Sequence, residues 1–167
     1  MLEYNNERAQ KNKRCYFCKE GELALVLVVS RVHRASLDAD GEHVSEINKG
    51  LLVYVGIADG DTEEIVSKGA DKVSNLRIFP NDEGKMFYSV KDIKGEVMAV
   101  SNFTLCGNVK SRRPDFMGAA KPDVANGLFE FFKKELSKNV ETKSGVFGAH
   151  MEIDARHDGP VNIVINL

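Results

Sequence analysis

Two uninterrupted apolar runs constrain the fold most strongly. They read LALVLVV at residues 23–29 and GLLVYVGI at residues 50–57. Runs of this length that are rich in Val are typical of strands buried on both faces. Between them the stretch SLDADGEHVSEI contains Asp40-Gly41, a strong signal for a two-residue hairpin turn. Residues 23–57 are therefore predicted to form mainly strands.

A first helix is predicted at residues 61–76. Asp61 can cap its N-terminus, with Glu64 as the capping-box partner three residues later. Gly69 costs about 1 kcal/mol relative to Ala inside a helix, so we expect it to serve close packing. The apolar face of this helix consists of Ile65, Val73 and Leu76.

A second helix is predicted at residues 121–138, where Pro122 suits the first turn. Lysines near its end suit the negative end of the helix dipole. The predicted apolar stripe of this helix, at i, i+4 spacing, is Val124, Leu128, Phe132 and Leu136.

The remaining segments predict strands and turns: a turn at residues 81–85, a strand at 95–105 that ends in polar residues, and strands with glycine turns from residue 140 onward. Many strands, few helices and no regular β-α alternation indicate an α+β fold. We predict a single domain with a barrel-like, mostly antiparallel sheet and two main helices on one side. A chain of 167 residues is large enough to bury a core without disulfides.

Residues 1–22 are polar and aperiodic, so we expect a flexible extension there and a folded domain over residues 23–167. The extension contains Cys15 and Cys18, but a structural zinc site needs four ligands and no second pair exists. We expect reduced thiols, no metal and a cytoplasmic protein. There is no apolar run long enough for a membrane span and no secretory h-region. The net charge of −2 argues against broad nucleic-acid binding, so any RNA contact requires a local basic patch.

Two stretches could carry chemistry in the middle of the chain. Ser101-Asn102-Phe103-Thr104 places two hydroxyls and an amide at a strand end, where they either line a pocket or bond to nearby backbone. The loop KSRRPDF has two alternative interpretations: it binds phosphates, or it is a solvent-exposed loop without a binding role. Its basic residues are Lys110, Arg112 and Arg113.

Two further stretches lie near the C-terminus. GVFGAHM, residues 145–151, allows a tight bend, and His150 is either a base or a strand residue. Gly159-Pro160 precedes a strand with period-two alternation. Asn is unfavourable in strands, so Asn162 indicates either that its amide forms a hydrogen bond at a functional site or that this face of the strand is exposed to solvent. Common catalytic motifs are absent, and nothing in the sequence indicates that Ser101, His157 and Asp158 meet.

Taken together, these stretches resemble the D-aminoacyl-tRNA deacylase (D-Tyr-tRNA deacylase) family. The resemblance covers nearly the whole chain after the extension. It is carried by SRVHRASLDADGE, GLLVYVGIADGDT, LRIFPNDEGKM, SNFTL, SRRPDF followed by GAA, GVFGAHM and DGPVN.

The resemblance implies a deacylase-like fold and hydrolysis of the ester that joins a D-amino acid, or in some cases glycine, to the 3′-terminal adenosine of tRNA. It implies no cofactor and a homodimer with sites at the subunit interface. One subunit would supply Ser101 to Thr104, and its partner would insert Gly159-Pro160 with a cis peptide bond. The carbonyls of that pair would hold the substrate amino group and exclude an L side chain. Further substrate-binding positions would be Asn162, Phe147, Gly148, Ala149 and Met151.

Such chemistry needs no strong protein base, because the 2′-hydroxyl of the ribose can assist attack on an activated ester. The expected oxyanion donors are backbone N–H groups near Phe103 and Thr104. A covalent role for the Thr104 hydroxyl ranks lower, since no base is evident to activate it.

The sequence departs from the family pattern at four positions. Asn102 and Ser30 replace Gln, Asn162 replaces Thr, and His157 stands where Asn is common. These changes motivate an alternative, a family member that binds tRNA or another nucleic acid without turnover. A third hypothesis is a small-molecule hydrolase with Ser101 or Cys106 as its nucleophile.

Overall fold

A computed structural model describes residues 25–109 and 111–167. The predicted extension, including Cys15 and Cys18, lies outside the described residues, as does Lys110. The helices are α1 (Glu63–Asn75) and α2 (Pro122–Ser137), and a 3₁₀ helix spans Phe103–Cys106. The strands are β1 (Val26–Ala39), β2 (Glu42–Ile47), β3 (Gly50–Gly56), β4 (Phe79–Pro80), β5 (Met86–Tyr88), β6 (Glu96–Ser101), β7 (Glu141–Ser144) and β8 (Met151–Asn166).

The main sheet is organised around the long strand β1. Its first half pairs with β3 and its second half with β2, while β8 runs along its other edge, all antiparallel. The sheet continues through β6 and β7, whose pairings are parallel. The strand order is β2-β1-β3-β6-β7, with β8 on β1. This nearly closed, mostly antiparallel sheet with two helices confirms the predicted fold class.

The apolar strands are buried on both faces, as predicted. Alternate residues of β3 belong to two different core clusters. Leu51, Val53 and Val55 pack on the side of the helices, and Leu52 packs on the other side. The Asp40-Gly41 turn also forms as predicted, with φ of 51° and 85° at the two residues.

Helix α1 begins one residue later than predicted. Its N-cap is Thr62, whose hydroxyl accepts a hydrogen bond from the Ile65 N–H at 3.4 Å. Asp61 is used in the preceding turn, where its carboxylate accepts from the Ala58 N–H at 2.7 Å. The expectation for Gly69 is confirmed, because a Cβ there would lie 2.6 Å from the Leu25 Cδ2 atom.

The buried face of α2 differs in part from the predicted stripe. Val124 is 52% exposed, so its assignment to the apolar stripe was wrong, whereas Leu128 is partly buried and packs against the core. A strict i, i+4 spacing drifts around a helix of 3.6 residues per turn, and the contact face shifts with it. The residues buried on α2 are Ala125, Phe129, Phe132 and Leu136.

None of the helices within residues 25–109 and 111–167 has the length and apolar character that crossing a bilayer requires.

Candidate active site

A cleft of ≈ 540 Å³ opens where β6 ends, beside the start of α2 and the bend that precedes β8. It brings together Ser101 to Thr104 and residues 147–151, two stretches selected from the sequence. The site residues predicted from the sequence that line this cleft are Ser101, Asn102, Phe103, Thr104, Phe147, Gly148, Ala149 and Met151.

Asn102 holds the 3₁₀ turn at the end of β6. Its side-chain Oδ1 accepts from the Thr104 N–H at 3.1 Å and from the Thr104 hydroxyl at 2.5 Å. Its own N–H donates to the Val55 carbonyl at 2.8 Å, which fixes the turn to β3. Both alternatives for this stretch therefore hold: it lines a cleft, and its polar atoms bond to nearby backbone.

This bonding limits what Thr104 can do. Its hydroxyl proton points to an amide oxygen, which is too weak a base to activate a nucleophile. Its N–H is also engaged as a donor in the same cap. Backbone N–H groups near Phe103 and Thr104 were the expected oxyanion donors. The cap engages the Thr104 N–H, so the Phe103 N–H is the remaining candidate.

Two phenylalanine rings line part of the cleft, and each is supported by a second ring outside it. Phe103 is 58% exposed and packs edge-to-face on Phe116, with ring centroids 5.1 Å apart. Phe147 lies against Phe129 of α2 at 6.4 Å. Apolar rings beside a few polar atoms are typical of pockets that bind small organic groups.

Tyr54 also lines the cleft, although it was not among the site residues predicted from the sequence. It lies on β3 between the core-facing residues Val53 and Val55. Burial raises the pKa of its hydroxyl, so the group stays a neutral hydrogen-bond donor. In the sequence, Tyr54 is the only residue of this apolar strand with a polar side-chain atom, and that feature could have indicated a site residue.

The segment GVFGAHM forms the predicted bend. Gly148 has a φ of 77°, and the Ala149 N–H donates to the Val146 carbonyl at 3.3 Å. The carbonyl of His150 accepts from the Asp40 N–H at 3.1 Å, which ties the bend to the β1–β2 hairpin. The His150 side chain is exposed at the cleft edge.

Gly159 and Pro160 lie in a bulge of β8. Ser30 of β1 pairs with Asn162, and Val32 pairs with His157, so residues 158–161 of β8 face the single residue Arg31. We call residues 158–161 the β8 bulge. The peptide bond between Gly159 and Pro160 is cis, the geometry that the resemblance implies.

The β8 bulge is anchored by Arg31, which is 8% exposed. The guanidinium makes a two-point ion pair with Asp158, with Nε 3.1 Å from Oδ2 and Nη2 3.2 Å from Oδ1. It also donates to the Ile78 carbonyl. On the other side of the bulge, the Ser30 hydroxyl donates to the Asn162 Oδ1 at 2.6 Å.

The β8 bulge and the cleft are separate in one chain. Neither Gly159 nor Pro160 lines the cleft, and Asn162 is bonded within the sheet. His157 and Asp158 are also away from the lining that contains Ser101, so the Ser-His-Asp combination is not assembled.

Arg112 and Arg113 are exposed in a loop that is closed by reciprocal backbone hydrogen bonds between Asn108 and Asp115, at 2.8 and 3.0 Å. The next residue, Phe116, contacts Phe103 in the cleft. The basic loop therefore begins and ends beside the cleft. Within residues 25–109 and 111–167, no group of three or more His, Cys, Asp or Glu side chains is placed to hold a metal ion.

The sequence matches a family model described as D-Tyr-tRNA(Tyr) deacylase over residues 28–166. It is 44% identical over 143 residues to a D-aminoacyl-tRNA deacylase of Sulfurihydrogenibium sp. (strain YO3AOP1), covering 85% of this chain and 97% of the relative. It is 49% identical over 139 residues to a D-aminoacyl-tRNA deacylase of Bacillus pumilus (strain SAFR-032), covering 82% and 95%.

Two solved structures are similar in fold. A c-Myc DNA unwinding element binding protein superimposes with a TM-score of 0.79 at 38% identity, covering 84% of this chain and 97% of that one. A structure described as a probable eukaryotic D-amino acid tRNA deacylase gives a TM-score of 0.76 at 16% identity, covering 86% and 100%. At 16% identity, the similarity to this second structure shows a shared fold only.

Proposed function

The chain belongs to the D-Tyr-tRNA(Tyr) deacylase family, and from this membership we propose that it proofreads translation as a D-aminoacyl-tRNA deacylase. It hydrolyses the ester between a D-amino acid and tRNA and releases both free. The main structural observation that supports this function is the cleft, which is lined by Ser101 to Thr104 on one side and by residues 147–151 on the other.

The chemistry rests on positioning in a half-closed aromatic cleft. The Phe103 N–H donates to the carbonyl oxygen of the ester as negative charge develops on it. Water attacks the ester carbon, a tetrahedral intermediate forms, and its collapse breaks the bond to the ribose oxygen, which takes up a proton. The neighbouring 2′-hydroxyl of the terminal adenosine assists this proton transfer, so no protein base is needed. The Asn102 cap keeps the turn that carries Phe103 in place.

Chirality is sorted by a second copy of the chain. The protein acts as a homodimer in which the β8 bulge of one subunit closes the cleft of the other. The carbonyls of Gly159 and Pro160 hold the substrate amino group, and the rigid backbone leaves no room for an L side chain. Two observations support this arrangement: Gly159 and Pro160 are exposed, and neither lines the cleft of its own chain.

The tRNA is held by charge beside the cleft. Arg112 and Arg113, with Lys110 in the same loop, contact the phosphates near the 3′ end. Phe147, Gly148, Ala149 and Met151 contact the aminoacyl group and the terminal adenosine. Glycine, which has no side chain to exclude, is a further substrate when it is joined to a non-cognate tRNA. The site of action is the cytoplasm, where charged tRNA is used.

The test is a deacylation assay with the same tRNA charged with a D-amino acid, its L enantiomer or glycine. We expect release of the D-amino acid well above release of the L-amino acid. Equal rates, or no rate above buffer, would contradict the proposal. Retained tRNA binding without turnover would instead support the non-catalytic alternative, which the names of the relatives do not favour.

A further inference from the structure

We propose that Ser30 and Asn162 are positioning residues for chiral selection, because their hydrogen bond holds the C-terminal side of the β8 bulge. This inference rests on the proposed function, in which the bulge carries the chiral contact. It assigns Asn162 an indirect role, through Gly159 and Pro160, in place of direct contact with substrate.

The register of β1 and β8 shows why the bulge needs two anchors. Four residues of β8 face one residue of β1, so the pairing is interrupted between Val32–His157 and Ser30–Asn162. An interruption of this size leaves backbone groups without cross-strand partners. Arg31 fixes its N-terminal residue, Asp158, through the ion pair. The Ser30–Asn162 bond lies at the first restored pair on the other side.

The two anchors come from consecutive residues of β1. Side chains of consecutive strand residues point to opposite faces of a sheet. Arg31 and Ser30 therefore hold the bulge from the two faces, which restrains rotation about the strand axis as well as displacement along it. One anchor alone would restrain displacement but leave the bulge free to tilt.

Burial adds to the importance of the pair. Ser30 is only 4% exposed, so its hydroxyl has little access to water and depends on Asn162 as an acceptor. Asn162 is exposed, and without this bond its amide would rotate freely. The bond therefore joins a buried group of β1 to the part of β8 that follows Pro160.

Chiral exclusion is more sensitive to this bond than is folding. Exclusion is a steric contact between bulge carbonyls and an L side chain, and a small tilt of the bulge relieves it. The free energy of unfolding changes only by the value of one hydrogen bond. We therefore expect the ratio of D to L hydrolysis rates to report on the pair.

The experiment compares Asn162→Leu, which has the same branched shape but no acceptor, with Asn162→Asp, which keeps an acceptor oxygen for Ser30. Asn162→Leu should lower the D-over-L ratio of kcat/KM by about 2-fold to 10-fold, the range of one hydrogen bond. Asn162→Asp should recover most of that ratio. Ser30→Ala should match Asn162→Leu, and the double variant should lose no more than either single variant, because both remove the same bond.

Ser74→Ala is the matched control. It removes a buried hydroxyl that donates to the Ala70 carbonyl at 2.9 Å within α1, away from the bulge. It should leave the D-over-L ratio unchanged. The assignment is overturned if the wild-type protein prefers D substrates and both single variants keep that preference, or if the two losses simply add. A wild-type protein without D preference would overturn the proposed function and this assignment together.

Discussion

At the scale of single residues, Gly159 determines the shape of the β8 bulge. Its φ is 127°, and an added Cβ would lie 2.7 Å from the Val161 N atom. Gly159→Ala therefore introduces backbone strain of about 1–3 kcal/mol and a contact that only movement of the bulge can relieve. We expect it to reduce the D-over-L ratio of hydrolysis rates by at least about 10-fold, since a shift of the bulge relieves the exclusion of L side chains.

Gly84→Ala is the control for backbone strain. Gly84 has a φ of 76° in the β4–β5 turn, and a Cβ there would meet nothing within 4 Å. The Gly84→Ala variant should have a lower free energy of unfolding than the wild type. Its D-over-L ratio of deacylation rates should be unchanged. If Gly159→Ala leaves the ratio at the wild-type value, the bulge does not carry the chiral contact.

Asp61 makes stability depend on pH. Burial raises the pKa of Asp61 from its ordinary 3.8 to about 6, against the lowering effect of N–H donors from Ala58 and Leu25. Folding thus favours the protonated carboxyl. Its contribution to the free energy of unfolding is largest below pH 3.8 and is lost as pH rises through about 6.

We expect Asp61→Asn to remove this part of the pH dependence, because an amide keeps an oxygen for the Ala58 N–H and carries no charge. The measurement is chemical denaturation from pH 4 to 7, taken as the difference between variant and wild type. Asp82→Asn removes a carboxylate from an exposed turn and serves as control. A difference that stays constant across this range would contradict the prediction.

The residues show which contacts a sequence can indicate. The change from apolar to polar at Ser101 marks a strand end, and that end does line the cleft. The Ser30–Asn162 bond joins residues 132 positions apart, and only the register of β1 with β8 creates it. The choice of Thr62 over Asp61 as N-cap was likewise open, because both residue types cap helices well.

At the scale of elements, two helical glycines differ in what surrounds them. Gly127 of α2 is exposed, and a Cβ there would meet nothing within 4 Å. Gly127→Ala should therefore raise the free energy of unfolding by about 1 kcal/mol through helix propensity. Gly69→Ala in α1 should gain much less or lose stability, because its Cβ would lie 2.6 Å from the Leu25 side chain. Equal gains in denaturation experiments would show that α1 packs more loosely on β1.

The basic loop beside the cleft predicts a dependence on salt. Arg112 is exposed, and its loop is closed at Asn108 and Asp115. Arg112→Ala should weaken tRNA binding and reduce the slope of log K against log salt by about 1 if it neutralises one phosphate. Lys68→Ala, on the exposed face of α1 and paired with Glu64, should leave the slope unchanged. A wild-type slope for Arg112→Ala would mean that the loop is only solvated.

At this scale, local sequence patterns predict individual elements but not how distant elements pair. Apolar runs located β1 and β3, and the Asp40-Gly41 signal located the turn between β1 and β2, since these are local properties. The parallel pairings of β3 with β6 and of β6 with β7 join distant segments, which no local pattern specifies. Val124 was wrongly placed on the buried face of α2 for the same reason, because tertiary packing selects among nearby helical stripes.

At the scale of the whole molecule, the cleft and the β8 bulge are two halves of one proposed site held apart in a single chain. The edge of β8 that does not pair with β1 is unpaired in the main sheet of the described residues, so a second copy has a surface to approach. A symmetric dimer would offer each cleft the bulge of the other chain. An arrangement in trans would make selectivity, and not only activity, a property of the pair of chains.

Mixing two variants tests this arrangement. Ala149→Trp fills the cleft and should abolish turnover while leaving an intact bulge. Gly159→Ala keeps an intact cleft with an altered bulge. If the bulge acts in trans, excess Ala149→Trp chains supply intact bulges to the Gly159→Ala clefts. Hydrolysis of L-aminoacyl-tRNA per Gly159→Ala chain should then fall towards the wild-type value after the subunits exchange, whereas an arrangement in cis predicts no change.

The control for this mixing experiment is the double variant Ala149→Trp/Gly159→Ala, which supplies neither a working cleft nor an intact bulge and should leave the L rate unchanged. If Gly159→Ala loses all turnover, the same mixture with Ala149→Trp should restore hydrolysis of D-aminoacyl-tRNA, since each mixed dimer then has one complete site. A mixture that behaves as the sum of its two separate variants would contradict the arrangement in trans. Recovery that requires the intact bulge of the catalytically silent chain would establish that each site is built from two subunits.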